Sequence, residues 1–229
     1  MLRSVCRALL ALAVLAATSG AGRAADALPD PLKLYGGEMV FSVWRSGSEI
    51  GQHHVTFMRD NGTLTVRSLF DIAVKLLGIT VFRYKYQSQE IWRDGELAQL
   101  DSTIDDNGTP HSVQAKAEGG KLSVVGPEAP HEPVTLPILP STHWNAQVIT
   151  ASRVLNTLSG KVNQIKLVPV GVESVPVGSA QRQATHYRYT GDIQAESWYD
   201  SDGHWLKLRF PGTDGTPIDY VCVRCVAAP

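Results

Sequence analysis

Cys222 and Cys225, close to the C-terminus, form the pair whose spacing most directly suggests chemistry. A Cys-x-x-Cys pair can close a local disulfide, cycle between thiol and disulfide, or hold a metal. Redox-active pairs of this spacing draw their reactivity from a helix N-terminus, and here only Val226 to Pro229 follow. Covalent haem attachment needs a His directly after the second cysteine, where this chain has Val226. In an extended strand, residues three apart are separated by about 10 Å, beyond the roughly 4.4–6.8 Å between bridged Cα atoms. A structural disulfide is the expectation if the chain curls after Val221, with free, metal-bound or intermolecular thiols as the alternatives.

The seven histidines are His53, His54, His111, His131, His143, His186 and His204. Alternation groups His53 with Val55 and Phe57, and His111 with Val113 and Ala115. Both therefore point inward, where an imidazole can act as base, ligand or satisfied core group. No His-Glu-x-x-His spacing exists, so no metal is assigned. No Gly-x-Ser-x-Gly elbow and no glycine-rich phosphate loop is present, so no catalytic residue or cofactor is assigned. Asp101, Thr103 and Asp105 share the polar parity of one strand and read as a solvated face. Ser141-Thr142-His143-Trp144-Asn145 brings His, Trp and Asn together after a proline-rich stretch. It reads as a helix capped by Ser141, lying within Thr142 to Leu158, whose Trp144 plugs the open side of a sheet.

The elements that must position these groups are strands. Apolar and polar residues alternate between glycine-containing turns such as Asp60-Asn61-Gly62, Asp94-Gly95 and Asp106-Asn107-Gly108, the recipe of antiparallel hairpins. From Thr63 to Lys75 the even positions are apolar, and from Ile79 to Arg93 the even face carries Phe82, Tyr84, Tyr86 and Trp92. Strands of 13 to 15 residues exceed the usual length and must coil. The expected fold is all-β with one short helix: a long, curved antiparallel meander forming a half-barrel or barrel-like sheet. A proline-rich loop, 126–140, should cross between two β-blocks.

Arg3 and Arg7 precede an apolar run from Ala8 to Ala17, and small residues then lead to Ala24. Residues 1–24 thus read as a cleavable signal peptide, too short in its apolar part to span a bilayer. Residues 25–229 read as a single β-domain. Cys6 precedes the apolar run, so it is not the lipidated cysteine of a lipoprotein, and the mature chain is expected to be soluble and periplasmic. With 21 Lys and Arg against 22 Asp and Glu, the net charge of −1 provides no footprint for nucleic acid. No segment reads as transmembrane.

Val40-Phe41-Ser42-Val43 followed by Glu49-Ile50-Gly51, then Glu90-Ile91-Trp92-Arg93-Asp94-Gly95, Trp144-Asn145 and Trp198-Tyr199-Asp200, resemble an uncharacterised family of exported bacterial β-proteins, a domain of unknown function. More distantly the chain is similar to the half-barrels of the periplasmic lipoprotein carriers LolA and LolB, which implies a bent sheet around an apolar cavity and no catalytic residues. The leading functional expectation is a cavity for a hydrophobic or lipid-like ligand. Its ligand-binding candidates are Phe82, Tyr84, Tyr86, Trp92, Trp144, His111 and His143. The alternatives are an envelope scaffold or assembly factor that binds another protein, and an enzyme in which His143 and His111 share one pocket with a carboxylate.

Overall fold

The computed structural model describes residues 28–227, so the expected signal segment lies outside the described residues. Eight strands follow one another outward: β1 (Glu38–Arg45), β2 (Ser48–Asp60), β3 (Thr63–Leu76), β4 (Ile79–Arg93), β5 (Glu96–Asp106), β6 (Thr109–Glu118), β7 (Lys121–Val125) and β8 (Val134–Thr135). Seven more return: β9 (Leu139–Pro140), β10 (Arg153–Leu155), β11 (Val162–Val177), β12 (Ala180–Gly191), β13 (Glu196–Tyr199), β14 (Trp205–Pro211) and β15 (Pro217–Arg224). β1 pairs with β15, so the sheet runs from β8 through β1 and β15 to β9.

Its two edges are consecutive in the chain. Only Leu136 to Ile138 separates β8 from β9, a span of about 14 Å at most. Arg153 on β10 donates to the Thr135 carbonyl on β8 at 2.6 Å, bridging the seam. The sheet therefore curls until its ends meet, which removes the exposed edges an open sheet would present. The proline-rich 126–140 segment is thus more than a loop, since its apolar Val134 and Leu139 seed the two edge strands.

Turn chemistry sets the register. Asn61-Gly62, Asp94-Gly95, Asn107-Gly108 and Gly119-Gly120 all carry positive φ at both positions, as the tight hairpin turns require. The β3–β4 turn breaks the pattern, because Leu77 takes φ 51° ahead of Gly78 and is 95 % exposed. A left-handed conformation costs a branched side chain about 1–2 kcal/mol. At Gly51 a Cβ would lie 2.0 Å from the Asp71 carbonyl, so only glycine lets β2 approach β3 where the sheet bends.

The inner faces follow the expected parity: Leu64, Val66, Phe70 and Ile72 on β3 are buried, as are Tyr86 and Trp92 on β4. Midway along, that face turns small and polar. Ser68, Ser88 and Ser102 pair across β3, β4 and β5 and are all buried. They leave room for residues 141–152, which run inside the barrel before the chain rejoins the wall as β10, and just beyond β10 the Thr157 carbonyl accepts from the Ser102 hydroxyl at 2.6 Å.

This inserted segment is not the expected helix. It contains one turn of 3-10 helix, Ala146–Thr150, capped by Asn145, whose side chain accepts from the Gln147 amide. Ser141 cannot cap it, because its hydroxyl is taken by the Thr157 amide at 3.1 Å. A short helix instead lies at the far end, α1 (Pro31–Tyr35), capped by Asp30. Tyr35 stacks on Phe57 and donates to the Trp144 carbonyl at 2.8 Å. His204 sits between the Asp200 carboxylate and the Leu34 carbonyl and clamps α1 in place.

Cys222 and Cys225 are joined in a disulfide with Cα atoms 5.8 Å apart. The β1–β15 register shifts between Val40, opposite Arg224, and Phe41, opposite Cys222. Val223 is thus an extra residue, and the chain curls there. A loop this short contributes about 2 kcal/mol through chain entropy. Reduction is therefore expected to lower Tm by about 4–8 °C in calorimetry, and an unchanged Tm would show that strand pairing alone holds the C-terminus.

Candidate functional site

In a meander, alternate turns fall at the same end. The β1–β2, β3–β4, β5–β6 and β14–β15 turns therefore ring one end of the barrel, and the inserted segment forms a floor below them. Between the two lies a cavity of about 650 Å³. Ile72, Val74, Phe82, Leu208, Phe210 and Ile218 supply much of its apolar wall. Arg45, Asp106 and Asp214 stand among the turn residues, and Arg45 is ion-paired with Asp214.

Of the ligand-binding candidates, Phe82, Tyr84, Tyr86 and His143 line this cavity. Trp92, Trp144 and His111 do not. The reason for Trp92 is length: the 15 residues of β4 span about 50 Å, so its upper half faces the cavity and its lower half the inserted segment. There the Trp92 and Trp144 rings meet edge to face at 5.5 Å, Trp144 also abutting Phe57. His111, on β6 opposite Ile104, stays outside the cavity that holds His143. The shared pocket that a His111–His143 enzyme requires is not formed.

Between the tryptophans is a group the sequence reading passed over. Glu90 is fully buried. Its Oε2 accepts from Trp92 Nε1 at 2.8 Å and Trp144 Nε1 at 3.2 Å, and its Oε1 from the Thr142 hydroxyl at 2.9 Å. Burial pushes this carboxyl up, and the three hydrogen bonds pull it back only in part. The available signal was parity: Glu90 shares the inward even face with Tyr86 and Trp92, and a charge placed there must find buried partners.

His53 is also cavity-lining and was read as inward-facing. Its ring lies among Phe41, Phe70, Trp205 and Tyr220 at centroid distances of 5.4–6.3 Å. Neither ring nitrogen has a hydrogen-bond partner. Burial, then the neighbouring His143 and His54, lowers it to about 3. His143 stacks on Trp205 at 5.0 Å and meets Tyr189 edge-on at 5.8 Å, and burial lowers it to about 4. Both imidazoles are uncharged at neutral pH, and both rings contact the Trp205 indole.

Asp200, Asp202 and His204 also come together, but the Asp200 carboxylate is already engaged by Arg182 and His204. Burial pushes Asp200 up, yet these hydrogen bonds prevail and hold it at about 2. Among the described residues, no helix is long and apolar enough to cross a membrane.

Fold and site together define a barrel-like antiparallel β-protein with an apolar internal cavity. The chain belongs to the DUF6134 family, a domain of unknown function, whose pattern matches residues 41–223. No curated protein matches it. Its fold is similar to the crystal structure of a beta-barrel-like protein of domain of unknown function DUF1849 from Brucella abortus. That likeness has a TM-score of 0.58 at 11 % identity and covers 83 % of this chain and 97 % of the other. A likeness to the lipoprotein carriers is not among these findings.

Proposed function

We propose that this protein is exported to the periplasm in soluble form and holds an apolar, lipid-like molecule inside its barrel. The observation that carries this reading is the 650 Å³ cavity with its aliphatic and aromatic wall. Its volume falls in the range of about 300–1,000 Å³ typical of small-molecule sites. Each methylene moved there from water contributes about 0.8 kcal/mol, so an alkyl chain of ten carbons supplies roughly 8 kcal/mol before ordering costs.

Protein purified without detergent is expected to release a lipid-like molecule on solvent extraction, detectable by mass spectrometry. Ile72→Trp fills the cavity from β3 and should abolish that yield while leaving Tm within a few degrees. An extract empty of lipid, together with no binding of a fluorescent fatty-acyl probe, would sink the reading.

One observation favours the second reading, an envelope partner. Leu77 and Ile79, at the β3–β4 tip beside the cavity-lining Val74 and Val81, are 95 % and 70 % exposed. Exposed apolar groups on a strained turn suit a docking contact. Periplasmic cross-linking that captured a stoichiometric partner, with no lipid bound, would support it over the carrier.

A further inference from the structure

We propose that the cavity's ligand is an amphiphile with a carboxyl head, bound with its proton where His53 and His143 both contact Trp205. This rests on the carrier reading above and names the ligand's head group. The observation behind it is an imidazole pair set into a largely apolar wall. His53 keeps both nitrogens unpaired although neither reaches solvent, a cost that a phenylalanine of similar size would avoid. Ser141, Thr142 and Asp214 of the lining are already engaged, by the Thr157 amide, Glu90 and Arg45 in turn, while the Tyr86 hydroxyl is unpaired as His53 is.

A neutral imidazole offers one N–H donor and one bare nitrogen acceptor, the complement of a carboxyl's C=O and O–H. An ionised carboxylate, by contrast, would need a fixed cation at depth. Arg45 is the one Lys or Arg lining the cavity among the described residues, and it stands among the turns already paired with Asp214. The acid must therefore arrive as a neutral species or transfer its proton to an imidazole within a hydrogen bond. In either case one carboxylate in water, one solvent proton and one neutral His become one hydrogen-bonded complex with no net charge.

Other ionisable groups facing the cavity do not compete at neutral pH. Burial raises the tyrosines Tyr84, Tyr86, Tyr189 and Tyr220, leaving neutral hydroxyls. Asp106 and Asp214 belong to the turn-ringed end. His54 points to the other face of β2, toward Glu38 and Gln52.

Calorimetric titration of the delipidated protein at pH 7 with dodecanoate and with dodecan-1-ol, each in buffers of different ionisation enthalpy, tests this. The expected result is uptake of about one proton per dodecanoate, since a free carboxyl of pKa about 4–5 is ionised in that buffer, and none per dodecanol. In a His53→Phe/His143→Phe double variant, dodecanoate affinity should fall about tenfold or more while dodecanol affinity stays within a few-fold. A Tm no lower than that of the parent shows that the variant is folded, and if it is lower, single His→Gln variants carry the comparison. Dodecanoate binding without proton uptake, or an acid-to-alcohol ratio unchanged by the variants, overturns the head-group assignment and leaves the carrier reading standing. Failure of both probes to bind overturns both.

Discussion

Glu90→Ala is expected to destabilise the domain by about 3–5 kcal/mol, the scale for removing one member of a buried charged network. The two indole N–H groups and the Thr142 hydroxyl lose their acceptor together, and each donor left unpaired in the interior costs about 1–3 kcal/mol. In a domain of this size, the loss corresponds to a fall in Tm of roughly 10 °C. Glu90→Gln should behave differently. Its single oxygen can accept from both indoles while its amide donates to Thr142, so a loss under about 1.5 kcal/mol is expected.

The glutamine variant also isolates a pH effect. Glu90 is raised above its ordinary value of 4.5 in the folded protein. Across the window from 4.5 up to the folded value, the native state binds more protons than the unfolded chain. This contribution to stability is therefore full below 4.5 and lost as pH rises through the folded value. Urea titrations of the parent and Glu90→Gln should show that slope in the parent only. Equal slopes would mean that another group carries it.

Trp144→Ala is expected to cost about 3–5 kcal/mol, as for other buried Trp-to-Ala truncations. The side chain is 1 % exposed, and its ring packs on Trp92 and Phe57 while donating to Glu90. It ties the inserted segment to β2 and β4 at once, so the near-ultraviolet dichroism of the coupled indoles should collapse with it. Because Trp144 and Glu90 share one hydrogen bond, the double Ala variant should cost less than the sum of the singles, by more than about 0.5 kcal/mol. Strict additivity would show that the two groups act separately.

Much of the architecture was written locally. The limits of β3 and β4 fell within a residue of those read from alternation, because side-chain period and Asn-Gly or Asp-Gly turns act over a few residues and need no distant partner. The β3–β4 turn escaped that reading since Leu77-Gly78 uses a residue that turns rarely tolerate. The inserted segment escaped it for a different reason. Trp144, Val148 and Leu155 stand at roughly helical spacing, but Arg153–Leu155 pair with β9 and β11 as a strand, and Ser141 spends its cap on Thr157.

The site divides the same way. Parity alone placed Phe82, Tyr84, Tyr86 and His53 inside, since inward or outward orientation is a property of a single strand. It did not say at what depth each would lie, and so grouped Trp92 with the cavity although the floor separates them. Whether His143 meets His53 at Trp205, and whether Glu90 reaches Thr142 and Trp144, depends on contacts between residues 52 to 152 positions apart in the chain. Closure of the barrel at the β8–β9 seam brings those residues together. What the sequence determined by itself was a curved antiparallel sheet with an aromatic inner face and a Cys222–Cys225 pair poised to bridge. The tertiary structure alone decided where the floor crosses that sheet, and hence which inward residues surround empty space and which are packed against one another.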